Sequence, residues 1–134
     1  MDEVLVERVL RAVEQVPPGR VVSYGDLAAL VGTGPRQVGA VMRHWGAEVT
    51  WWRVTSHAGD LRADLLARAR PHWDQEGIEV RPDGRGCPIA VYRADLVRLG
   101  ADYAGAVADL EDAGSGTRSP APEDHAGDAA GWAT

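Results

Sequence analysis

Few side chains in this sequence could carry covalent or metal chemistry. The chain of 134 residues has one cysteine, Cys87, and four histidines, which are His44, His57, His72 and His125. A single cysteine excludes an internal disulfide and a cysteine-rich zinc site, and the histidines lack the spacing of metal ligands. No glycine-rich phosphate-binding loop is found either. The sequence therefore predicts no metal or other cofactor, and a structural role for the cysteine.

Arginine is the side chain best represented among those that bind anions. The sequence contains 14 basic residues, all arginine, and the planar guanidinium can bind phosphates and bases through paired hydrogen bonds. Residues 1–103 carry 13 arginines and 14 acids, whereas residues 104–134 carry one arginine and six acids. Because the larger part is nearly neutral, affinity for nucleic acid would have to come from the local placement of arginines.

Two short helices joined by a glycine-containing turn would position several of these side chains. Ser23 is expected to cap the first helix, Tyr24–Val31, with Asp26 as the acid of a capping box. Pro35 suits the first position of the second helix, which should run from residue 36 to about residue 45. This pattern, preceded by a helix over 2–16, indicates a helix-turn-helix, a motif typical of DNA-binding proteins and shared by other helical hairpins.

The rest of the chain is predicted to add a long helix and a little β structure. Residues 49–55 should be extended, and residues 61–75 should form a helix broken or bent at Pro71. Segments 78–80 and 87–91 could pair as the hairpin of a winged helix.

The fold class follows from these elements. We expect a mainly α domain with small β structure, a winged-helix-like helix-turn-helix, over residues 1–103, and an acidic disordered tail over residues 104–134. Acids at positions 2 and 3 and the lack of a long apolar run argue against a signal peptide or a membrane span. These features predict a cytoplasmic monomer without membrane partners.

Three stretches resemble the DNA-binding domain of O6-alkylguanine-DNA alkyltransferases, and more closely the alkyltransferase-like proteins. They are Val22-Ser23-Tyr24-Gly25-Asp26-Leu27-Ala28, Pro35-Arg36-Gln37-Val38-Gly39 and Trp51-Trp52-Arg53-Val54. The resemblance covers roughly residues 4–95. In the enzymes, the segment matching residues 50–54 reads Pro-Cys-His-Arg-Val, and its cysteine accepts the alkyl group. The histidine beside it helps to form the thiolate. Here Trp51 stands at the position of the cysteine and Trp52 at that of the histidine, so the resemblance implies a protein that is not an enzyme.

The resemblance also implies a partner and a set of site residues. The protein would bind double-stranded DNA containing O6-alkylguanine and flip the damaged base out of the duplex. The complex would then mark the lesion for nucleotide excision repair proteins, which places the protein in the nucleoid. Arg36 matches the arginine that fills the gap in the duplex, and Tyr24 matches the tyrosine that rotates the phosphate. Contacts with DNA are expected from Ser23, Tyr24, Arg36, Gln37 and Arg43. The flipped-base pocket is expected to comprise Tyr24, Trp51, Trp52, Arg53, Val54, Ser56 and Arg62.

Two other functions fit the residues without the resemblance. A winged-helix transcription regulator would read bases in the major groove, using Arg36, Gln37 and Arg43. A small protein-interaction module would use the acidic tail as its contact surface. Preference for a palindrome would favour the first, and a lack of DNA binding at low salt would favour the second.

Overall fold

The computed structural model describes residues 2–113 of the protein. Within this range it contains seven α-helices and two short β-strands. They are α1 (Glu3–Glu14), β1 (Val22–Ser23), α2 (Tyr24–Val31), α3 (Pro35–Trp45), β2 (Val54–Thr55), α4 (Ala63–Glu76), α5 (Ile89–Tyr92), α6 (Leu96–Ala106) and α7 (Ala108–Ala113). The domain is mainly helical with little β structure, as predicted. None of the helices in residues 2–113 is long and apolar enough to span a membrane.

The helix-turn-helix forms as its local signals predict. The Ser23 hydroxyl accepts a hydrogen bond from the Asp26 N–H at 3.0 Å, and the Asp26 carboxylate accepts one from the Ser23 N–H at 3.0 Å. This reciprocal capping box fixes the start of α2. Gly32 ends α2 in the left-handed region, with φ of +85°. Pro35 then begins α3, where its missing N–H has no helical acceptor to lose.

A two-stranded parallel sheet joins the start of α2 to the segment with the tryptophan pair. Val22 of β1 pairs with Val54 of β2, and Ser23 pairs with Thr55. The strand predicted over residues 49–55 is thus confined to its last two residues. Trp51–Arg53 instead forms a 3₁₀ turn, and long-range contacts of its side chains, described below, hold it.

Helix α4 is continuous through Pro71, so the predicted break is wrong. The helix ends at Glu76, and Gly77 caps it in the left-handed region with φ of +80°. The predicted hairpin is also wrong, because segments 78–80 and 87–91 do not form strands. The Arg81 N–H donates to the Gly86 carbonyl at 2.7 Å. This bond closes the loop over residues 81–86 and is not part of a β-ladder. Pro88, which lacks a donor N–H, precedes the short helix α5.

The folded domain extends beyond the predicted boundary at residue 103. Helix α6 packs on α1, and α7 follows it, with Val107 and Leu110 both buried. The Arg11 guanidinium on α1 donates to the Ala106 carbonyl at 2.9 Å and pairs with Asp109. Residues 104–113 are therefore part of the domain rather than of a tail. The remainder of the predicted acidic tail, residues 114–134, lies outside the described residues.

Candidate nucleic-acid interface

A cleft of about 480 Å³ opens beside the start of α2. Its walls come from the first residue of α2, from the loop before α4, from the first turn of α4 and from the loop that follows it. The residues that line it are Tyr24, Ser56, Asp60, Leu61, Arg62, Ala63, Leu65, Leu66, Gly84 and Arg85. Three of the predicted pocket residues, Tyr24, Ser56 and Arg62, thus meet in one cavity. This size is within the range of small-molecule binding pockets in proteins.

Tyr24 is placed in the cleft by the cap of α2. The capping hydroxyl of Ser23 is buried and occupied by Asp26, so Ser23 acts on the site by holding the helix start rather than by offering a free surface group. Burial raises the pKa of the Tyr24 phenol above its ordinary value. The phenol therefore stays protonated and remains a hydrogen-bond donor at neutral pH.

Helix α3 presents an exposed polar surface with no acidic side chain. Val38, Val41 and Met42 point into the core. Arg36 and Arg43 are exposed and lie seven residues apart, which places them on one face of the helix, about 10 Å apart along its axis. Gln37 and both arginines are absent from the lining of the cleft. The helix thus offers a positively charged surface that is separate from the cavity.

The loop from Ser56 to Asp60 forms one lip of the cleft. The Ser56 N–H donates to the Asp60 carbonyl at 3.0 Å, and the Ser56 hydroxyl accepts from the Asp60 N–H at 3.1 Å. Arg62, at the end of this lip, is exposed and lies 3.3 Å from Asp64. An exposed ion pair of this kind is weak, because solvent screens it.

The next pair of predicted pocket residues faces the other end of α4. Trp52 stacks on His72 with a centroid distance of 3.7 Å and an interplanar angle of 8°. Its indole N–H donates to Glu76, the last residue of α4, at 2.9 Å. Helix α4 spans about 20 Å, and the cleft lies at its first turn. Trp52 therefore packs against the C-terminal half of α4, and it is not among the residues lining the cleft. Val54 is completely buried and is not among the residues lining the cleft either.

Arg53 forms a partly buried ion pair with Glu76. The guanidinium donates to the Glu76 carboxylate at 2.6 Å and to the Val16 carbonyl at 3.0 Å. Burial alone would raise the pKa of Glu76, but hydrogen bonds from Arg53, the Gly19 N–H and Trp52 outweigh it and hold the pKa below its ordinary value. The arginine thus braces the segment through carbonyl and carboxylate contacts, which places it outside the cleft and in a structural role.

Trp51 lies between these two regions. Its half-buried ring meets the rings of Trp52 and His72 edge to face, with centroid distances of 5.9 Å and 6.3 Å. The Arg68 guanidinium lies 5.7 Å from its ring centroid, in a cation–π contact. Trp51 therefore packs over the middle of α4 and is not among the residues lining the cleft. The pairing with Arg68 was not predicted, since it joins residues far apart in the sequence.

Arg81 is the residue of the site that sequence reasoning missed most completely. Its guanidinium pairs with Asp60 on the lip and donates to the Ala58 carbonyl at 2.7 Å and to the Cys87 carbonyl at 2.8 Å. The side chain thereby fastens the lip to the loop after α4. Nothing local in the sequence predicts this clamp, because it joins segments 21 residues apart.

Two glycines allow the lip and the loop after α4 to cross with their backbones in direct contact. A Cβ atom on Gly86 would lie 2.0 Å from the Gly59 carbonyl oxygen, and one on Gly59 would lie 2.2 Å from the Cys87 carbonyl oxygen. Gly59 also has φ of +86°. Only residues without a side chain fit this crossing.

The cysteine beside this crossing is inert. Cys87 is completely buried, and burial raises the pKa of its thiol to about 11. At neutral pH only about one molecule in ten thousand would carry the thiolate that attacks carbon. This agrees with the predicted structural role.

The chain is similar to known proteins over most of this domain. Residues 5–78 match the family model of the 6-O-methylguanine DNA methyltransferase DNA-binding domain. Alkyltransferase-like protein 1 from Schizosaccharomyces pombe is 36% identical over 88 residues, which cover 60% of this chain and 81% of that protein. The DNA base-flipping protein of Escherichia coli is 35% identical over 85 residues, which cover 59% of this chain and 66% of that protein. A solved structure of S. pombe Atl1, in complex with damaged DNA containing O6-carboxymethylguanine, matches with a TM-score of 0.62 and 27% identity. The match covers 71% of this chain and 98% of that chain.

Proposed function

The chain belongs to the family of the 6-O-methylguanine DNA methyltransferase DNA-binding domain, and from this premise we propose that it binds O6-alkylguanine in duplex DNA and flips the damaged base into the cleft. The observation that carries the proposal is the cavity of about 480 Å³ at Tyr24, beside a helix-turn-helix whose second helix is positively charged. Its relatives support it, since one is a base-flipping protein and another is bound to damaged DNA in its solved structure.

Binding begins, in this proposal, with α3 against the minor groove. Arg43 contacts a phosphate, and Arg36 enters the duplex, where its flat guanidinium stacks and hydrogen-bonds in place of the lost base. Flipping costs a few kcal/mol, and less for a base whose pairing the alkyl group has already weakened. That difference gives a physical source of preference for the lesion. Tyr24, still protonated, donates to a phosphate oxygen of the rotating nucleotide.

The damaged base is held and not repaired. Trp51 stands where the enzymes of the family have their acceptor cysteine, and an indole does not take up an alkyl group from guanine. Trp52 stands where the enzymes have their histidine, and its indole N–H is occupied by the hydrogen bond to Glu76. Cys87 is a buried thiol with a pKa of about 11. The chain therefore acts as a lesion sensor and not as an enzyme.

A binding titration tests recognition directly. Fluorescence anisotropy would compare three duplexes of one sequence, containing guanine, O6-methylguanine or O6-carboxymethylguanine at the same position. We expect both damaged duplexes to bind more tightly than the undamaged one. Equal affinity for all three would refute lesion recognition.

A mass measurement tests whether the alkyl group is transferred. After incubation with duplex DNA containing O6-methylguanine, the mass of the protein should be unchanged and the methyl group should remain on the base. A gain of one methyl group on the protein, located to Cys87 or any other residue, would refute the role of a sensor.

Because the alkyl group stays on the DNA, its removal requires a separate repair process. We infer that the monomeric complex, with its flipped base and bent duplex, is the signal for nucleotide excision repair. In a reconstituted incision assay, the protein should increase incision beside O6-alkylguanine. Incision at a lesion that excision repair already recognises without help provides the control and should not change.

A further inference from the structure

We propose that Arg85 selects adducts that carry a negative charge, such as a carboxylate attached at O6 of guanine. The proposal rests on the proposed function, because it assigns a preference to the same cleft. Arg85 lines the cleft together with Tyr24 and Arg62, yet it lies outside residues 5–78, the part that matches the family model. The match to the family model therefore assigns no role to this arginine.

Among the residues that the structure describes, no acid around the cleft forms an ion pair with the Arg85 side chain, although the Asp83 carboxylate is close enough to attract it. Asp60, the acid among the lining residues, is paired with Arg81. The Asp83 carboxylate accepts from the Arg85 backbone N–H at 2.9 Å and from the Arg81 guanidinium at 3.1 Å, so both of its oxygens already have partners. Within residues 2–113 the Arg85 guanidinium forms no hydrogen bond or ion pair. The cavity therefore contains an exposed cation that a ligand could neutralise.

The backbone of Arg85 is fixed although its side chain is exposed. Its carbonyl accepts from the Leu61 N–H at 3.2 Å, and the next residue, Gly86, forms an antiparallel bridge with Asp60. Because Leu61 also lines the cleft, these bonds hold the start of the arginine side chain at the cavity wall. A fixed position reduces the entropy lost when the guanidinium binds a ligand.

The chemistry of the guanidinium indicates the class of ligand. A flipped guanine with a methyl or other neutral alkyl group carries no charge that an arginine could match. A carboxylate on the alkyl group offers two oxygens with the spacing of the guanidinium fork. A DNA phosphate offers the same oxyanion chemistry from a different source, so the experiment must distinguish a charge on the adduct from a charge on the backbone.

The test uses the full chain and four duplexes of one sequence. They carry guanine, O6-methylguanine, O6-propylguanine and O6-carboxymethylguanine, and the propyl group is a neutral adduct similar in size to carboxymethyl. Dissociation constants would be measured at two salt concentrations for the wild type, Arg85→Gln and Arg85→Lys. Arg98→Gln is the matched control, because it removes the same charge from an exposed arginine at another cavity, on α6.

We expect Arg85→Gln to weaken binding of the carboxymethyl duplex about tenfold, the typical effect of losing one charge-assisted hydrogen bond, and to change the other three less than twofold. Arg85→Lys should retain part of the preference, and Arg98→Gln should leave it intact. An equal loss for all four duplexes, with a weaker salt dependence, would show a phosphate contact and overturn the proposal. No loss for any duplex would overturn it as well. If the wild type does not distinguish damaged from undamaged DNA, the proposed function itself fails.

Discussion

Arg36 and Arg43 share one helix face but should have different effects on binding. Replacing Arg36 with alanine removes the group proposed to fill the gap in the duplex, so the flipped state loses stability and lesion preference should fall about tenfold. Replacing Arg43 removes a phosphate contact, which should weaken binding to damaged and undamaged DNA alike and reduce the salt dependence by about one unit. Titrations of both variants on paired duplexes measure this. An equal drop in lesion preference for both would contradict the assignment.

Glu76 gives the stability of the domain a specific dependence on pH. Its folded-state pKa is held below the ordinary value of about 4.3, so its contribution is present above that pH and is lost as the pH falls through the folded-state pKa. Glu76→Gln should therefore cost about 2 kcal/mol at pH 7, because the hydrogen bonds from Arg53 lose their charged acceptor, and this loss of stability relative to wild type should narrow below about pH 4.

Urea unfolding at several pH values measures this effect. Asp74→Asn, at an exposed position of the same helix, is the control and should change the free energy of unfolding by less than about 0.5 kcal/mol. A constant difference between Glu76→Gln and wild type across the acidic range would mean that the carboxylate charge does not stabilise the fold.

At the scale of elements, the crossing of two loops sets the wall of the cleft. Gly86→Ala would place a Cβ atom 2.0 Å from the Gly59 carbonyl oxygen, so the loops must separate. We expect a loss of about 2 kcal/mol or more in stability, and weaker binding of damaged DNA because Arg85 and the lip move apart. Unfolding and titration experiments check both effects.

Gly105→Ala is the matched control for the crossing. Gly105 lies in α6, where an added Cβ atom meets nothing within 4 Å. This substitution should stabilise the protein slightly, by about 0.5 kcal/mol, because alanine favours a helix. If Gly86→Ala were as stable as Gly105→Ala, the loops would not be tightly packed in solution.

The elements that sequence predicted well depend on neighbours in the chain. The capping box joins Ser23 to a residue three positions later, and α1 shows its apolar stripe at helical spacing. The turn at Trp51–Arg53 could not be predicted in this way, because its side chains bond to Glu76, more than 20 residues away. The clamp of Arg81 and the missing hairpin have the same cause.

Only part of the site was predicted, because some of its contacts join residues far apart in the sequence. Resemblance to a family identified Tyr24, Ser56 and Arg62, which line the cleft. It also assigned Trp52 to the pocket, whereas the fold turns that side chain toward the far end of α4. Arg85 was not predicted, since only the loop crossing brings it to the cavity. Family motifs thus identified several residues of the cleft, whereas long-range contacts decide which side chains line it.

At the scale of the whole molecule, the last helices close the core over α1. The spacing of Leu99, Tyr103, Val107 and Leu110 is that of one helical face, and all four are buried. This stripe was a signal in the sequence that the small and acidic residues around it obscured. The helices therefore contribute to folding, and none of their residues lines the cleft.

Truncation at two positions tests where the domain ends. A chain ending at Tyr103 loses the buried Val107 and Leu110, which should cost about 3 kcal/mol or more, and Arg11 loses both of its partners beyond that point. A chain ending at Ala113 keeps all these contacts, and its free energy of unfolding should lie within about 1 kcal/mol of that of the full chain. Because α6 and α7 pack on α1 rather than on the cleft, the fraction of the shorter chain that stays folded should still prefer damaged DNA. Equal stability of the two truncated chains in urea would show that the domain ends before α7, and a selective loss of lesion preference would instead place these helices at the DNA surface.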